Sequence, residues 1–353
     1  MTHSRDTKTE LAFAPFTEAE LPRLDEIDRS EVIEASYRVE QGRLVKVDKH
    51  IDVPGWLPGD GDDSIGIGST DDEVASCGEG DPIEGRAPRI ATTVAPLTDL
   101  IGMLTSGTGA EVEGVVPEGT DSHTFEPSPS DAATLERADF VFLNGLGLET
   151  PTQRMAVANL TDGSEICELG TTVLPEEDYI FDFSFPEAGG LPNPHLWTAP
   201  RWVGEYGRLV VDVLSTRHPE LESVYRANLE ALDGEVAVLD AAIRAATATV
   251  PEERRLLLTY HDAYAYFAAD YGWRVVGAVQ PSSFGEPSPN DVARLIDQVE
   301  ELGVPAIFGS EVFPSPVLEQ IAAATGVRYV DDLRDDDLPG DPGDPEHSWF
   351  GLM

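Results

Sequence analysis

The sequence contains little lysine, and its negative charges far outnumber its positive ones. Its 353 residues include 66 Asp and Glu against 23 Lys and Arg, a formal net charge of −43, and lysine stands only at Lys8, Lys46 and Lys49. So strong a negative charge repels nucleic acid and anionic membrane surfaces, and neither is expected as a partner. The acidic residues are spread along the whole chain, so we interpret them as a solvated, salt-adapted surface of the kind found in extreme halophiles.

Cysteine and long apolar runs are also scarce. Cys77 and Cys167 are too few for a disulfide framework, and neither lies in a CxxC pattern. The sequence has no run of about 18 apolar residues that would span a membrane, and its N-terminus lacks the basic and apolar regions of a signal peptide. The residues VASC, ending at Cys77, have the form of a lipoprotein cleavage box without a preceding apolar run. A chance match and a remnant of a lipid anchor both remain open.

The first part of the chain is predicted to be separate from the rest. Residues 1–58 form a small extension of uncertain function, with helical periodicity over 16–37 and strand-like residues over 42–53. This piece weakly resembles the opening of a GNAT-type acetyltransferase, but it lacks the acetyl-CoA-binding loop of that family. Residues 59–87 are rich in Gly, Asp and Ser without periodicity, which predicts a disordered acidic linker.

The remaining chain predicts two parallel-sheet α/β lobes. Strands alternate with helices over residues 88–218 (the N-lobe) and again over 251–353 (the C-lobe), the pattern of parallel α/β sheets. Between them, residues 219–250 carry a helical pattern whose length predicts a rod of roughly 40 Å. We therefore expect one long, rigid helix to join the lobes and to allow only small rigid-body opening.

Four chemically active side chains occupy related places in this pattern. His123 lies in a Pro/Ser/Asp-rich loop, His195 in a loop rich in aromatic and acidic residues, and His261 and Asp331 near the ends of predicted strands. Open α/β sheets present ligand residues at the carboxyl ends of their strands. Three imidazoles and one carboxylate suit a single borderline cation. Taken singly, each could instead be a buried or surface histidine, a helix cap or a solvated charge.

Several longer motifs surround these residues: DSHTFEPSPSD, NGLGLE, NPHLW, HDAYAYF, EPSPNDVARLI and YVDDL. Together they resemble the zinc- and manganese-type solute-binding proteins of ABC transporters, and the resemblance covers about residues 89–353. Ser122 and Asn193 stand where the family has proline and aspartate. The sequence stops at EHSWFGLM, where family members continue, so the C-terminal helix is expected to be truncated.

The resemblance implies a metal site between the two lobes. Its expected ligands are His123, His195, His261 and Asp331, with Asp332 as the competing assignment for the carboxylate. A set of three nitrogens and one carboxylate favours zinc, with manganese as the alternative.

Each metal-bound imidazole is expected to donate its second N–H to a neighbouring group. The candidates for this role are Glu126, Glu286 and Glu311, of which Glu311 is preferred because it follows the apolar strand AIFGS.

The function implied by the resemblance is capture of a divalent transition-metal ion and its delivery to a membrane permease for uptake. Such a protein is not an enzyme, is expected to be a monomer, and works at the extracellular face of the membrane. Without an intact signal peptide in this sequence, cytoplasmic retention stays open. Two alternatives remain: a zinc-dependent hydrolase with a three-histidine site, and a two-lobed binder of an organic ligand.

Overall fold

The computed structural model describes residues 77–353 except 79, 281–283 and 311–315, together with the backbone of four strands between residues 31 and 53. The chain divides into two compact units, Met1–Asp72 and Glu73–Met353.

The strands of the first unit form two antiparallel pairs. β1 (Glu31–Ile33) pairs with β4 (Ile51–Val53), and β2 (Ser36–Glu40) pairs with β3 (Arg43–Val47). Alternating β-branched and aromatic residues in SYRVE and RLVKV favour this extended pairing. The helical periodicity predicted over residues 16–37 is therefore wrong at its C-terminal end, and residues 16–30 lie outside the described part of the chain.

The N-lobe of the second unit is built on a parallel sheet with the strand order β6-β5-β7-β8. Its strands are β5 (Arg89–Thr92), β6 (Glu111–Gly114), β7 (Phe140–Leu143) and β8 (Glu165–Glu168). Every residue of β7, with the sequence FVFL, is buried. Such a continuous apolar run is typical of a strand covered on both faces of a parallel sheet.

The C-lobe repeats this arrangement with the order β10-β9-β11-β12, again parallel. Its strands are β9 (Leu256–Thr259), β10 (Arg274–Ala278), β11 (Ala306–Ser310) and β12 (Arg328–Leu333). In each lobe the first strand lies between the second and the third, so the strand order reverses there. The loops that leave the carboxyl ends at such a reversal form the usual ligand-binding crevice.

The helices begin and end as follows: α1 Ala95–Thr105, α2 Pro129–Arg137, α3 Thr150–Asn159, α4 Leu169–Val173, α5 Pro200–Arg217, α6 Glu222–Ala248, α7 Ala265–Tyr271, α8 Pro289–Leu302, α9 Pro316–Thr325 and α10 Trp349–Leu352. At the start of α2 the Asp131 carboxylate accepts the Ser128 N–H, and at the start of α8 the Asp291 carboxylate accepts the Ser288 N–H. The similar motifs SPSD and SPND thus begin two helices in the same way.

The long helix α6 contains 27 residues and packs on α1 and α5. Tyr225, Leu232 and Val236 are its buried apolar residues, and they join the large core cluster of the N-lobe. Along the sequence α6 leads from the N-lobe to β9. Its role as a rigid joint between the lobes stays a prediction. No helix in the described part of the chain is both long and apolar enough to cross a membrane.

The end of the predicted linker is tied to the N-lobe. Cys77 forms a disulfide bond with Cys167 of β8, and the Gly78 and Gly80 N–H groups donate to the Glu165 carboxylate. The Ile83 N–H donates to a backbone carbonyl at the end of α5. The described residues from 77 to 83 are therefore ordered by these bonds, whereas a disordered linker was predicted up to residue 87. The Cys77 sulfur is bonded to Cys167 in this structure and so is not available for a lipid. Residues 59–76 lie outside the described part of the chain.

The chain after β12 returns to the N-lobe. The Trp197 indole N–H donates to the Asp335 carbonyl at 2.7 Å, and the Trp349 indole N–H donates to the Trp197 carbonyl at 2.8 Å. Trp349 is completely buried and belongs to the N-lobe core. The Gly119 N–H also donates to the Asp337 carboxylate. This return brings three consecutive aspartates, residues 335–337, to the inner side of the N-lobe.

Candidate metal centre

Three histidines from separate loops meet between the lobes. His123 lies in the turn after β6, where its N–H donates to the Asp121 carboxylate at 2.9 Å. His195 precedes α5, and His261 follows β9 by two residues. The Nε2 atoms lie 3.1 Å apart for His123 and His195, 3.3 Å for His123 and His261, and 2.8 Å for His195 and His261. Among the described residues, these three form the group able to hold a metal ion.

These separations match the edges of a small coordination polyhedron. Imidazole nitrogens bind zinc at about 2.0–2.1 Å, so two nitrogens of a tetrahedral site stand about 3.3 Å apart. The three Nε2–Nε2 distances already lie within about half an ångström of that spacing.

An asparagine holds the imidazole of His195. The Asn193 Oδ1 atom lies 2.8 Å from His195 Nδ1 and 3.0 Å from the His195 backbone nitrogen. The Asn193 Nδ2 atom donates to Asp182 Oδ2 at 2.8 Å and to the Asp262 carbonyl at 2.6 Å. With the amide nitrogen donating in this way, the Asn193 oxygen must be the atom that faces His195. His195 Nδ1 therefore carries a proton.

A glutamine side chain accepts the Nδ1–H of His261, as Asn193 does for His195. Gln280 Oε1 lies 2.5 Å from His261 Nδ1, while Gln280 Nε2 donates towards Asp121 Oδ2 and the Phe284 carbonyl at 3.4 and 3.5 Å. His261 Nδ1 is thus the protonated nitrogen.

In both imidazoles Nδ1 faces its amide partner, and Nε2 is the ring nitrogen that faces the other histidines. The three Nε2 atoms lie close together, and a bound cation is the species that such an arrangement accommodates.

His123 is held differently from the other two. It is half-buried, whereas His195 and His261 are 0% and 1% exposed. Its imidazole stacks on the Phe284 ring, with centroids 4.3 Å apart and planes at 9°. Burial, and then the neighbouring imidazoles, lower the pKa of both His123 and His195 well below the usual value. Both therefore remain neutral, as metal ligands must be.

The structure does not bring Asp331 to this group, although Asp331 was predicted as the fourth ligand. Asp331 is exposed on β12, and the Asp332 side chain lies outside the described part of the chain. The buried carboxylate beside the histidines belongs to Asp336, which is 3% exposed and accepts the Ser122 hydroxyl at 2.9 Å through Oδ2.

The other carboxylate oxygen of Asp336 has no such partner. Its Oδ1 atom makes no hydrogen bond within the part of the chain that the structure describes. Burial, and then the neighbouring Asp335, raise the pKa of Asp336 to about 7, while the nearby His261 has the opposite effect. The effect of His261 shows that this carboxylate lies near the three-histidine group.

The predicted partners of the imidazole N–H groups are replaced by amides. Glu126 and Glu286 are exposed, and Glu311 lies outside the described part of the chain. The observed partners are Asn193 and Gln280. Asn193 could have been found from the sequence, because it stands two residues before His195 in place of the family's aspartate. Gln280 carries no comparable signal beyond its place after β10.

The family model of the zinc-uptake complex component A, periplasmic (ZnuA), matches residues 90–353 of this sequence. The chain belongs to this family. The match confirms the resemblance inferred from the motifs, and it covers both lobes together with the three histidines and Asp336.

Relatives in this family share both sequence and fold with the chain. The manganese-binding lipoprotein MntA of Halalkalibacterium halodurans is 32% identical over 285 residues, covering 79% of this chain and 90% of the relative. The iron-binding protein YfeA of Yersinia pestis is 26% identical, over 75% of this chain and 82% of the relative. The solved structure of the zinc-binding protein TroA of Treponema pallidum superposes with a TM-score of 0.67 at 25% identity, covering 76% of this chain and 95% of TroA. The predicted fold of two parallel-sheet α/β lobes is thereby confirmed.

Proposed function

We propose that this protein captures a divalent transition-metal ion between its lobes and delivers it to the permease of a metal ABC transporter. The observation that carries the proposal is the meeting of three histidine Nε2 atoms 2.8–3.3 Å apart. Asn193 and Gln280 accept the opposite N–H groups of His195 and His261, so the site is arranged before an ion arrives. The chain belongs to a metal-uptake family, and its relatives are named as manganese-, iron- and zinc-binding proteins. This membership supports the transport role.

The fourth ligand in this proposal is Asp336 in place of Asp331. Asp336 is buried and close to His261, and its Oδ1 atom has no hydrogen-bond partner within the described part of the chain. An ion held by the three histidines would supply the positive charge that this carboxylate lacks. The exposed Asp331 has no such need, since water solvates its charge.

Zinc is the proposed cargo, and manganese is the alternative. Three imidazoles and one carboxylate bind zinc more tightly than manganese by the Irving–Williams order, whereas manganese favours more oxygen ligands. We propose a carrier rather than an enzyme, because a fourth protein ligand takes the position that a catalytic zinc site leaves open for water. A hydrolase would also need a general base, and Glu126, the carboxylate three residues after His123, is exposed.

Metal titration tests the proposal. The protein is purified in molar KCl, stripped with a chelator, and titrated with zinc and with manganese in competition. One equivalent of zinc should bind, more tightly than manganese, and His261→Ala should remove most of the affinity while the circular dichroism spectrum is kept. An unaltered protein that binds neither ion would exclude the function.

Two aspartate variants test the fourth ligand. Asp336→Asn should weaken zinc binding, whereas Asp331→Asn, five residues away and exposed, should leave it unchanged. The reverse outcome would restore Asp331. Delivery is tested separately with the reconstituted permease, whose ATP hydrolysis should rise with the zinc-loaded protein and not with a loaded protein from an unrelated transporter.

A further inference from the structure

A cavity of about 310 Å³ lies against the metal centre. We call it the vestibule, and its walls include His123, Phe185, Pro186, Leu191, Pro194 and Phe284. Pro186 and Leu191 are exposed, so the vestibule reaches the protein surface, while Phe185 is buried at its inner side. It thus connects solvent with one side of the three-histidine group.

His123 borders the vestibule, whereas His195 and His261 are almost completely buried. An ion arriving from solvent through this cavity would therefore meet His123 before the other two ligands. The His123 ring is held there by aromatic contacts, stacked on Phe284 and 5.5 Å from the Phe185 centroid. Phe284 adopts φ 55°, a left-handed conformation that is rare for a bulky residue, and this conformation places its ring on the imidazole.

The size and chemistry of the vestibule suit a hydrated ion in transit. One water occupies about 30 Å³ of liquid, so the cavity has room for about ten waters, enough for a divalent ion with its first hydration shell. Its apolar walls offer few competing ligands, so an ion is not trapped before it reaches the imidazole.

We infer that the vestibule is the path by which the ion enters and leaves, and that His123 is the first ligand to bind it and the last to release it. The inference rests on the proposed metal-binding function and adds the route and the order of ligand exchange. In each step an imidazole nitrogen replaces one water of the ion, or a water replaces the imidazole, and no other bond changes.

The vestibule can be blocked at Gly189, which lies in its exposed wall. A Cβ added to Gly189 meets no described atom within 4 Å, and Gly189 is not among the glycines with positive φ. Gly189→Trp would therefore place an indole at the vestibule with little strain. Gly234→Trp is the matched control, because Gly234 is exposed on α6 and its Cβ also meets no described atom within 4 Å.

Zinc association and chelator-driven dissociation are followed by stopped-flow fluorescence. Gly189→Trp should slow both rates by about tenfold or more, because the indole obstructs the path of the ion. The affinity, which is the ratio of the two rates, should stay within about threefold of that of the unaltered protein, because the ligands are unchanged. Gly234→Trp should change neither rate. Leu191→Ala, which removes a half-exposed wall residue, should speed both rates.

Unchanged rates in Gly189→Trp would overturn the inference, as would a change in affinity carried by one rate alone. If Gly189→Trp does not fold, Leu191→Ala decides: two rates equal to those of the unaltered protein would overturn the path. Zinc binding by the unaltered protein is measured first, so failure of the path is distinguished from failure of the proposed function.

Discussion

Buried carboxylates at the two ends of the N-lobe sheet have different partners: arginines at the amino end and neutral hydrogen-bond donors at the carboxyl end. At the start of β8, Glu165 pairs with the buried Arg217 guanidinium, and just before β7, Asp139 pairs with Arg86. At the carboxyl end, Glu149 is equally buried but accepts hydrogen bonds from the Thr93 hydroxyl and from two backbone N–H groups.

Burial raises the pKa of Glu149 to about 7, and the hydrogen bonds that its carboxylate accepts act in the opposite direction. Asp336, which meets this end of the N-lobe from the C-terminal segment, has a neutral hydroxyl partner as well. Charges at the amino end of the sheet are therefore neutralised within the protein and stabilise the fold. Those at the carboxyl end have only neutral hydrogen-bond donors as partners, and Asp336 among them lies beside the three-histidine group. The comparison predicts that changes at the first end alter stability, and changes at the second end alter metal binding.

The largest expected effect belongs to the disulfide at the amino end. Replacing Cys77 and Cys167 with serine opens a link that spans 90 residues. The free energy of unfolding should fall by about 4 to 5 kcal/mol, because the unlinked unfolded chain gains conformational entropy. Urea denaturation in molar KCl measures this change. Zinc affinity should stay within about twofold of that of the unaltered protein. A large loss of affinity would mean that the amino and carboxyl ends of the N-lobe sheet are energetically coupled.

The second effect is the loss of the buried ion pair. Glu165→Gln leaves the Arg217 guanidinium buried without its carboxylate and should lower the free energy of unfolding by about 3 to 5 kcal/mol. The matched control is Glu205→Gln, since Glu205 and Arg208 form a pair whose side chains are about half exposed. That change should cost less than about 1 kcal/mol. Equal losses in the two variants would contradict the role assigned to burial.

At the carboxyl end, the amide partners should affect affinity more than stability. Gln280→Ala removes the acceptor of the His261 N–H and should weaken zinc binding by about 10- to 100-fold, because the imidazole loses its fixed tautomer and orientation. Gln280→Glu keeps an acceptor and should retain affinity. Glu286→Gln, at an exposed neighbour, is the control. Calorimetric titration would exclude this role if Gln280→Ala bound zinc as tightly as the unaltered protein.

The smallest effect is a dependence on pH. With the pKa of Asp336 at about 7 in the metal-free protein, a proton occupies the carboxylate as the pH falls through 7, and zinc must displace it. Affinity should therefore drop by about tenfold between pH 8 and pH 6. His123 and His195 should contribute little over that range, because burial holds their pKa values well below the usual one.

Calorimetry in two buffers of different ionisation enthalpy measures the protons released. Asp336→Asn should bind zinc more weakly and with an almost flat pH profile. A profile as steep as that of the unaltered protein would assign the proton to another group.

Much of the fold and part of the site follow from local sequence. The apolar run FVFL predicts a buried strand, and the motifs SPSD and SPND predict helix starts, because these signals act within a few residues. The motifs around His123, His195 and His261 likewise identify the three residues whose imidazoles meet in the structure. Each of these features depends mainly on its immediate neighbours in the chain.

The tertiary structure alone decided the remaining partners. In the run DDLRDDD, Asp331 and Asp336 have similar local surroundings, and the return of the chain to the N-lobe is what buries Asp336 and leaves Asp331 exposed. Gln280 reaches His261 because β9 and β10 are adjacent in the sheet, and Cys77 meets Cys167 across 90 residues. Such contacts depend on which distant segments pack together, and neither periodicity nor residue type within a short window carries that information.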